Sequence, residues 1–442
     1  MNEVAITSPL FHELRNHLAG EDEAAAILLG NVVDRGTRGW KLLINEARYA
    51  VGQDYAERSS TRVVLRPSFV AAVAKEARNR KKSLIFVHTH PHSTYPRFSA
   101  TDDQGEHHLA RFVHRVGPFP HAALVLGQTG CAARLLGSPS ELLRVAHVGS
   151  DIEYPSESWS SAGVDEAYDR QVRAFGSGGQ TLLGTLCIGI IGLGGTGSLV
   201  AQQLAHLGVR EFLLLDPDSV DASNLNRLAG ARRHDIGVPK VVVAARHIRR
   251  VRRSTHVEAI RGSVLQARTA RRLAEADFLF CCTDSHGSRA VINQLAYQYL
   301  IPCIDMGVSL TTGRGQVTHI AGRVQMLAPG LACLACGNLL DPDAVRRDLM
   351  SEEERLADPY FLGDGEAQPA VMSLNGTVAS LAVTMFLGAT VGVPAGARFQ
   401  LYNGIAGTVR TATAQPDPVC VVCSARGAMG RGDDWPLPAR QL

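Results

Sequence analysis

The sequence predicts two α/β domains in tandem, the second organised on a mostly parallel sheet. Three observations carry this. An apolar strand, Leu186–Gly192, ends in a glycine-rich turn that opens a helix, and strand and helix patterns alternate from there on. An earlier strand, Leu84–Val87, runs straight into a pair of histidines. Between them lies YPSESWSSAGVDEAYD, rich in Ser, Gly, Pro and acid, which reads as a linker. The division expected is residues 1–150, a linker at 151–165 and a second domain at 166–442. A chain of 442 residues is too long for one ordinary core, in keeping with that division.

In chain order, Thr61–Leu65 reads as a short strand and Pro67–Asn79 as a helix with proline in its first turn. After the histidine strand and a Gly- and Ser-containing loop, His107–Val116 reads as helix. Ala122–Leu126 and Cys131–Leu136 read as strands that Leu142–His147 continues. From Asp151 to Gly179 the pattern dissolves. The strand LCIGIIG, a helix over Thr196–Leu207 and the strand EFLLLD ending at Asp216 follow. A helix over Pro239–Val251 and a strand over Asp277–Cys281 extend the alternation that a parallel sheet requires.

Apolar residues make up 45% of the chain and its net charge is only +3, a globular composition. Forty of its 45 basic residues are Arg and five are Lys, and the run Arg249–Arg253 reads as solvated helix surface. No nucleic-acid partner is expected. No targeting segment opens the chain and no apolar run reaches the length of a span, so no membrane association and a cytoplasmic location are expected. Nine cysteines, four of them in two Cys-x-x-Cys pairs, fit metal ligation better than a disulfide scaffold.

In Gly192-Leu-Gly194-Gly195-Thr-Gly197 the glycines let backbone approach a pyrophosphate, and the first N–H groups of the helix face it. Asp216, ending the next strand, is placed for a ribose hydroxyl. These features suit a nicotinamide oxidoreductase as well as an ATP site. Further on come Asp218, Asn226-Arg227, Asp235-Ile-Gly-Val-Pro-Lys240 and Cys282-Thr-Asp284. Phosphoanhydride cleavage needs such cations against developing phosphoryl charge and a carboxylate for Mg²⁺, whereas hydride transfer needs neither.

The segments IGLGGTGSLVAQQLAHLGV, LLDPDSVDASNLNR, DIGVPK and CCTDS resemble the ThiF, MoeB and HesA proteins and the adenylation domain of ubiquitin-activating E1 enzymes, over about residues 168–426. The resemblance implies a Rossmann-like domain in which Asp216 binds ribose, Asn226, Arg227 and Lys240 contact ATP phosphates, and Asp284 holds Mg²⁺. It implies that Arg170, in Tyr168-Asp-Arg170-Gln171, reaches into the ATP site of a second subunit, making the working unit a homodimer. The substrate it implies is a small β-grasp protein, ubiquitin-like or ThiS-like, ending in Gly-Gly. That carboxylate would attack the α-phosphate of ATP and release pyrophosphate.

Cys333-Leu-Ala-Cys336 and Cys420-Val-Val-Cys423 together offer four thiolates, a full tetrahedral shell for structural Zn²⁺, although one such pair alone could be redox-active. The same paired arrangement occurs in the ThiF and MoeB relatives. No cysteine lies from Gly337 through Val419, where many of these relatives carry the one that receives the activated protein. Cys281, Cys282 and Cys303 read as core, so no catalytic cysteine is assigned; the chain would either stop at the adenylate or pass the activated tail to another protein's thiol, that of an E2-like or sulfur-donor partner. The acidic stretch at 341–369 reads as a crossover loop.

In the first domain, His88-Thr-His90 and Asp102 supply two imidazoles and a carboxylate, a Zn²⁺ shell with a fourth position open to water. Glu23 is the candidate general base and Ser99 the candidate oxyanion donor. A satisfied polar cluster is the bland alternative. Residues 1–150 resemble the JAB/MPN (JAMM) metalloprotease domain, with Glu23, His88, His90, Ser99 and Asp102 at its motif positions. The His90–Ser99 interval holds eight residues, one more than is usual there. The two resemblances together imply ATP-dependent adenylation of a Gly-Gly tail joined to zinc-dependent cleavage of its precursor or conjugates, in phage defence or in sulfur transfer. Alternatives are a peptide-adenylating enzyme for amide formation, and an E1-like enzyme whose JAB domain only binds.

Overall fold

The computed structural model describes residues 1–117, 119–156, 164–313, 316–351, 354 and 369–441. The chain forms two compact units. The first is Met1–Ser158 with Gln298–Leu300 and Ser424–Pro436, and the second is Trp159–Tyr297, Ile301–Cys423 and Leu437–Leu442.

The first unit runs β1 (Glu3–Thr7), α1 (Ser8–His17), β2 (Ala25–Asp34), β3 (Trp40–Tyr49), β4 (Tyr55–Ser59), β5 (Arg62–Leu65), α2 (Pro67–Asn79), β6 (Ser83–Thr89), α3 (Ala100–Val113), β7 (Ala122–Leu126), β8 (Cys131–Leu135), β9 (Leu142–Val148) and β10 (Ile152–Glu153). Its main sheet has the order β1-β3-β2-β6-β7-β8-β9-β10, and β1 also pairs in parallel with β9. That pairing closes the sheet on itself and leaves no free edge between β1 and β9. Alternate residues of the central strands serve two apolar layers, as the two-residue period of a strand dictates. Ala26, Leu28, Ile85 and Val87 pack with Phe11 and Leu14 of α1. Ile27, Leu29, Leu84 and Phe86 pack with Val70, Val73 and Ala77 of α2 and with Val113 of α3.

The helix expected over His107–Val116 begins at Ala100 instead. Ser99 caps it: its hydroxyl accepts from Asp102 N (3.2 Å), and the Asp102 carboxylate accepts from Ser99 N (2.6 Å). The polar run after Ser99 hid this start, because the first turn carries no apolar periodicity.

Ser424–Pro436, which the sequence division assigns to the second domain, belongs to the first unit. Asn31 Nδ2 donates to Gly430 O and Asn45 Nδ2 to Met429 O, each at 2.8 Å. Lys82, 5% exposed, donates to Asn31 Oδ1 and lies 3.8 Å from Asp434. Burial pulls its ammonium below the usual lysine range. Asn31→Leu removes both Asn31 bonds and leaves the buried Lys82 ammonium with the 3.8 Å Asp434 contact in place of its hydrogen bond to Asn31, so a loss of about 2–3 kcal/mol is expected. Urea denaturation followed by a probe in the first unit reads this as a lower midpoint at unchanged slope.

The second unit runs α4 (Asp169–Leu183), β11 (Cys187–Ile191), α5 (Gly195–His206), β12 (Glu211–Leu215), α6 (Lys240–Val251), β13 (His256–Ile260), α7 (Ala267–Arg272), β14 (Phe278–Cys281), α8 (His286–Gln298), β15 (Cys303–Gly313), β16 (Gln316–Leu327), α9 (Pro342–Leu349), α10 (Met372–Thr390), β17 (Phe399–Asn403) and β18 (Thr408–Thr411). Its sheet has the order β13-β12-β11-β14-β15-β16-β17-β18. The pairings from β13 to β15 are parallel and those from β15 to β18 antiparallel. Helix α4 occupies a stretch expected to be patternless. It bends at Phe175 and Gly176 (φ +75°), where the Gly- and Ser-rich run interrupts the helical signal. Residues 157–163 of the expected linker, and 352–353 and 355–368 of the expected crossover loop, lie outside the described residues. The start of that loop is the helix α9, capped by the Asp341 carboxylate.

Among the described residues one helix, α10, is long and apolar enough to cross a membrane by length and composition. Its inner face, including Val378, Ala382 and Phe386, is buried in the unit.

Candidate active sites

In the first unit the register of β2 against β6 builds the metal centre. Ala25 pairs with His88, and Thr89 N donates to Ala24 O at 3.0 Å. Glu23, just ahead of β2, therefore meets the carboxyl end of β6, where His88 and His90 stand. The capped first turn of α3 delivers Asp102. The two histidine Nε2 atoms are 3.2 Å apart. Asp102 Oδ1 is 3.1 Å from His88 Nε2, Asp102 Oδ2 is 3.7 Å from His90 Nε2, and Glu23 Oε1 is 3.8 Å from His90 Nε2. Two imidazole nitrogens at that separation cannot both donate to each other. It is close to the edge of a tetrahedron whose ligands stand ~2.05 Å from its centre, ~3.3 Å. The donor set fits zinc.

Electrostatics distinguish the two carboxylates. Burial pushes the Glu23 carboxyl above its ordinary range, against a smaller pull from His88. Burial also raises Asp102, but His88 and the Ser99 donors outweigh it and hold that carboxyl well below the usual range. Burial, with His88 adding to it, lowers His90, which favours the neutral ligand form. Ser99 is exposed, and its hydroxyl donates to Asp102 Oδ2 at 2.8 Å.

The four paired cysteines converge after β16 and β18. Cys333 Sγ lies 3.6 Å from Cys336 Sγ and 3.7 Å from Cys420 Sγ, and Cys336 Sγ lies 3.5 Å from Cys423 Sγ. These separations are far beyond a disulfide's ~2.05 Å. They match the ~3.8 Å edge of a tetrahedron with Zn–S bonds of ~2.3 Å. Backbone N–H groups of Cys336, Val422 and Asp417 point at sulfurs 3.3–3.5 Å away, as thiolates in metal knuckles accept them. The chain carries a Cys₄ set for structural zinc and a separate His₂Asp set.

The nucleotide crevice lies where strand order reverses, with β12 on one side of β11 and β14 on the other. Gly192 has φ +86°, and a Cβ there would stand 2.8 Å from Cys282 O. A Cβ on Gly197 would stand 1.9 Å from Gly192 O, and one on Gly195 would stand 2.2 Å from Asn375 Nδ2. Gly194 is the N-cap of α5, with open space at its own Cβ position. Asp216, 4% exposed, accepts from Leu193 N (2.6 Å) and Asp218 N (2.8 Å) and so braces the turn. Burial raises its carboxyl, with those amides and Lys240 pulling the other way.

Around this turn the structure gathers most of the expected residues. Arg227 Cδ is 3.3 Å from the Cβ position of Gly195, and its guanidinium donates to Ser223 O (2.7 Å) and Asn226 Oδ1 (3.2 Å). Lys240 pairs with Asp218 at 2.7 Å. Asp284 is exposed just beyond the Cys282–Thr283 backbone that lies against Gly192. Arg170 is exposed in the first turn of α4 and has no described contact with the turn. Asp235 of the DIGVPK motif is 1% exposed and binds Arg246 at 2.7 Å, an anchor for α6. Cys281 and Cys303 are buried and Cys282 is half-buried, and burial raises all three thiols, so none is an activated nucleophile. Asn375, buried beside Gly195, escaped sequence reasoning. A lone amide near the start of the apolar helix α10 was the available signal.

Comparison with known proteins agrees with this geometry. Residues 168–422 match the ThiF family, and residues 7–136 match the prokaryotic homologs of the JAB domain. The chain is similar to the molybdopterin-synthase adenylyltransferase of Escherichia coli, 27% identical over 260 residues that are 58% of this chain and 95% of that protein. It is also similar to the SAMP-activating enzyme E1 of Haloferax volcanii, 26% identical over 254 residues, 57% of this chain and 85% of that one. Among solved structures, E. coli MccB aligns with a TM-score of 0.48 at 21% identity, covering 61% of this chain and 75% of that one. The chain belongs to the ThiF family, an ATP-dependent adenylyltransferase whose amino-terminal part is a JAB-type, metal-dependent protease-like domain.

Proposed function

We propose that the second unit adenylates the C-terminal glycine of a small β-grasp protein, ubiquitin-like or ThiS-like, and that the first unit cleaves the precursor or conjugates of that protein. The observation carrying the first half is the crevice itself, with Arg227 and Lys240 at a glycine turn in a chain of the ThiF family. The carrier class is supported by likeness to two relatives, a molybdopterin-synthase adenylyltransferase and a SAMP-activating enzyme E1.

Lys240 and Arg227 rest on Asp218, Ser223 and Asn226, so each cation is held at the crevice by partners that phosphate oxygens can replace. Asp284 would hold Mg²⁺, and Arg170 would complete the site across a homodimer. In the first unit, His88, His90 and Asp102 would hold zinc, which would supply Lewis acidity for amide hydrolysis. Glu23, its carboxyl raised by burial, accepts a proton from the attacking water and returns it to the leaving amine. The reaction would run in the cytoplasm. The activated tail would then pass to an E2-like or sulfur-donor partner, in phage defence or in sulfur transfer.

The observations bear more directly on a coarser reading, carboxyl adenylation beside a JAB module that binds without cutting. The crevice does not distinguish the tail of a β-grasp protein from a peptide awaiting amide formation. Ser99, the residue meant for the oxyanion, is already bonded to Asp102. Intact-mass analysis separates these readings. A β-grasp protein extended by a few residues beyond Gly-Gly is incubated with ATP, Mg²⁺ and the chain. Trimming followed by an AMP adduct is expected, and Glu23→Gln should leave the precursor uncut while a pre-trimmed carrier is still adenylated. An adduct without trimming would reduce the first unit to a binding module. Adenylation of a short peptide but no β-grasp protein would favour amide formation.

A further inference from the structure

The loop between His90 and Ser99 holds eight residues, and it brings His90 and Asp102 to one point. The β7–β8 turn accounts for that. His90 N donates to Leu126 O at 2.8 Å, so the second histidine continues along the end of β7. The turn's amides then face the loop: Gln128 N donates to Ser93 O (2.8 Å), and Gly130 N to Thr94 O (2.9 Å). Its carbonyls face the other way, onto one side chain of α1. Arg15 Nη1 donates to Gly127 O (3.0 Å) and Gln128 O (2.8 Å), and Nη2 donates to Thr129 O (3.0 Å). A planar guanidinium with its donors in a fixed fork suits three carbonyls splayed from one tight turn.

The fit depends on missing side chains. A Cβ on Gly127 would stand 2.4 Å from Ser93 O and 2.6 Å from Pro96 Cδ, and one on Gly130 would stand 2.5 Å from Tyr95 Cδ1. The loop is pressed against the turn more closely than any other residue type allows.

We propose that Arg15 and the Gly127–Gly130 turn are positioning groups for the His₂Asp metal centre: they hold the His90–Ser99 loop so that His90 and Asp102 converge. This rests on the reading of that centre as a zinc site. Arg15 donates to the carbonyls of the turn and acts on the metal ligands through it. Outer groups that orient ligands are worth about 10–100-fold in metal affinity. The larger change is expected at Gly127, where relief of the clash must move the loop itself. Arg15 faces partly exposed carbonyls that water can serve.

The test is zinc content of the full chain after dialysis against graded concentrations of a weak chelator. The wild-type chain should hold two equivalents and His88→Ala one, the latter retained by the Cys₄ set. Gly127→Ala should release its second equivalent at about tenfold lower chelator or less. Arg15→Ala should shift in the same direction by a smaller factor, and Arg15→Lys should recover part of it. Circular dichroism, with retention of the Cys₄ zinc, reports that each variant is folded. A wild-type release curve in both Gly127→Ala and Arg15→Ala would overturn the proposal. If the wild-type chain held only the Cys₄ equivalent, the zinc reading would fail, and this inference with it.

Discussion

Gly197→Ala is expected to lower the kcat/KM of ATP–pyrophosphate exchange by about 100-fold or more, because a misplacement near 1 Å already costs that much. The new methyl would stand 1.9 Å from the carbonyl oxygen of Gly192 and 3.2 Å from Cys282 Cβ. Both obstacles belong to the turn or to the strand end beside it, and Gly192 O is backbone, which no rotamer change can move aside. Ordinary contact distance requires a shift of roughly 1.5 Å. That shift would open the turn that Asp216 braces and lift the first amides of α5 away from the phosphates. The rate of pyrophosphate exchange with carrier at saturation and ATP well below its KM reads it directly. Gly396→Ala, outside the turn, is the matched control, since a Cβ there also meets nothing within 4 Å. Equal activity in the two variants would mean that the turn does not cradle the nucleotide.

Cys420→Ser is expected to cost the second unit on the order of 5 kcal/mol, a fraction of the ~10–16 kcal/mol that structural zinc contributes in small domains. At 2–4 °C per kcal/mol the transition of that unit falls by about 10–20 °C. Cys420 Sγ is 3.7 Å from Cys333 Sγ and also accepts the Val422 amide, so the change breaks the shell and its local support together. Calorimetry with and without a strong chelator checks this. Chelation should bring the wild-type chain to the level of the variant and leave the variant itself little changed. A wild-type transition that chelator does not move would place no structural metal among these thiols.

Legibility in the sequence followed locality. The glycine turn, Asp216 and the paired cysteines could be read because each motif is short and its chemistry is set by spacing. Pro67–Asn79 was readable to the residue, since proline marked its start and apolar spacing its face. The Ser99 cap was overlooked because after Ala100 no apolar residue of α3 occurs before Leu109. Closure of the first sheet through β1 and β9 was out of reach, being a pairing of segments some 140 residues apart with no signal in either. Asn375 was missed for the same reason. Its partner Gly195 is distant in sequence, and a single amide in an apolar helix usually satisfies the helix itself. Asp235 shows the reverse case: a motif residue whose carboxylate is buried against Arg246 rather than turned to the nucleotide.

The discontinuity of the first unit sets an order of events during synthesis. Its sheet is encoded within the first 158 residues, but Gln298–Leu300 and Ser424–Pro436 complete the unit. A ribosome must therefore translate nearly the whole second unit before Asn31, Asn45 and Lys82 meet their partners. Until then the nascent metal-binding portion waits with polar groups uncovered, open to chaperones and proteases. A message truncated in between would carry Glu23, His88, His90 and Asp102 without the segment that pairs Asn31, Asn45 and Lys82.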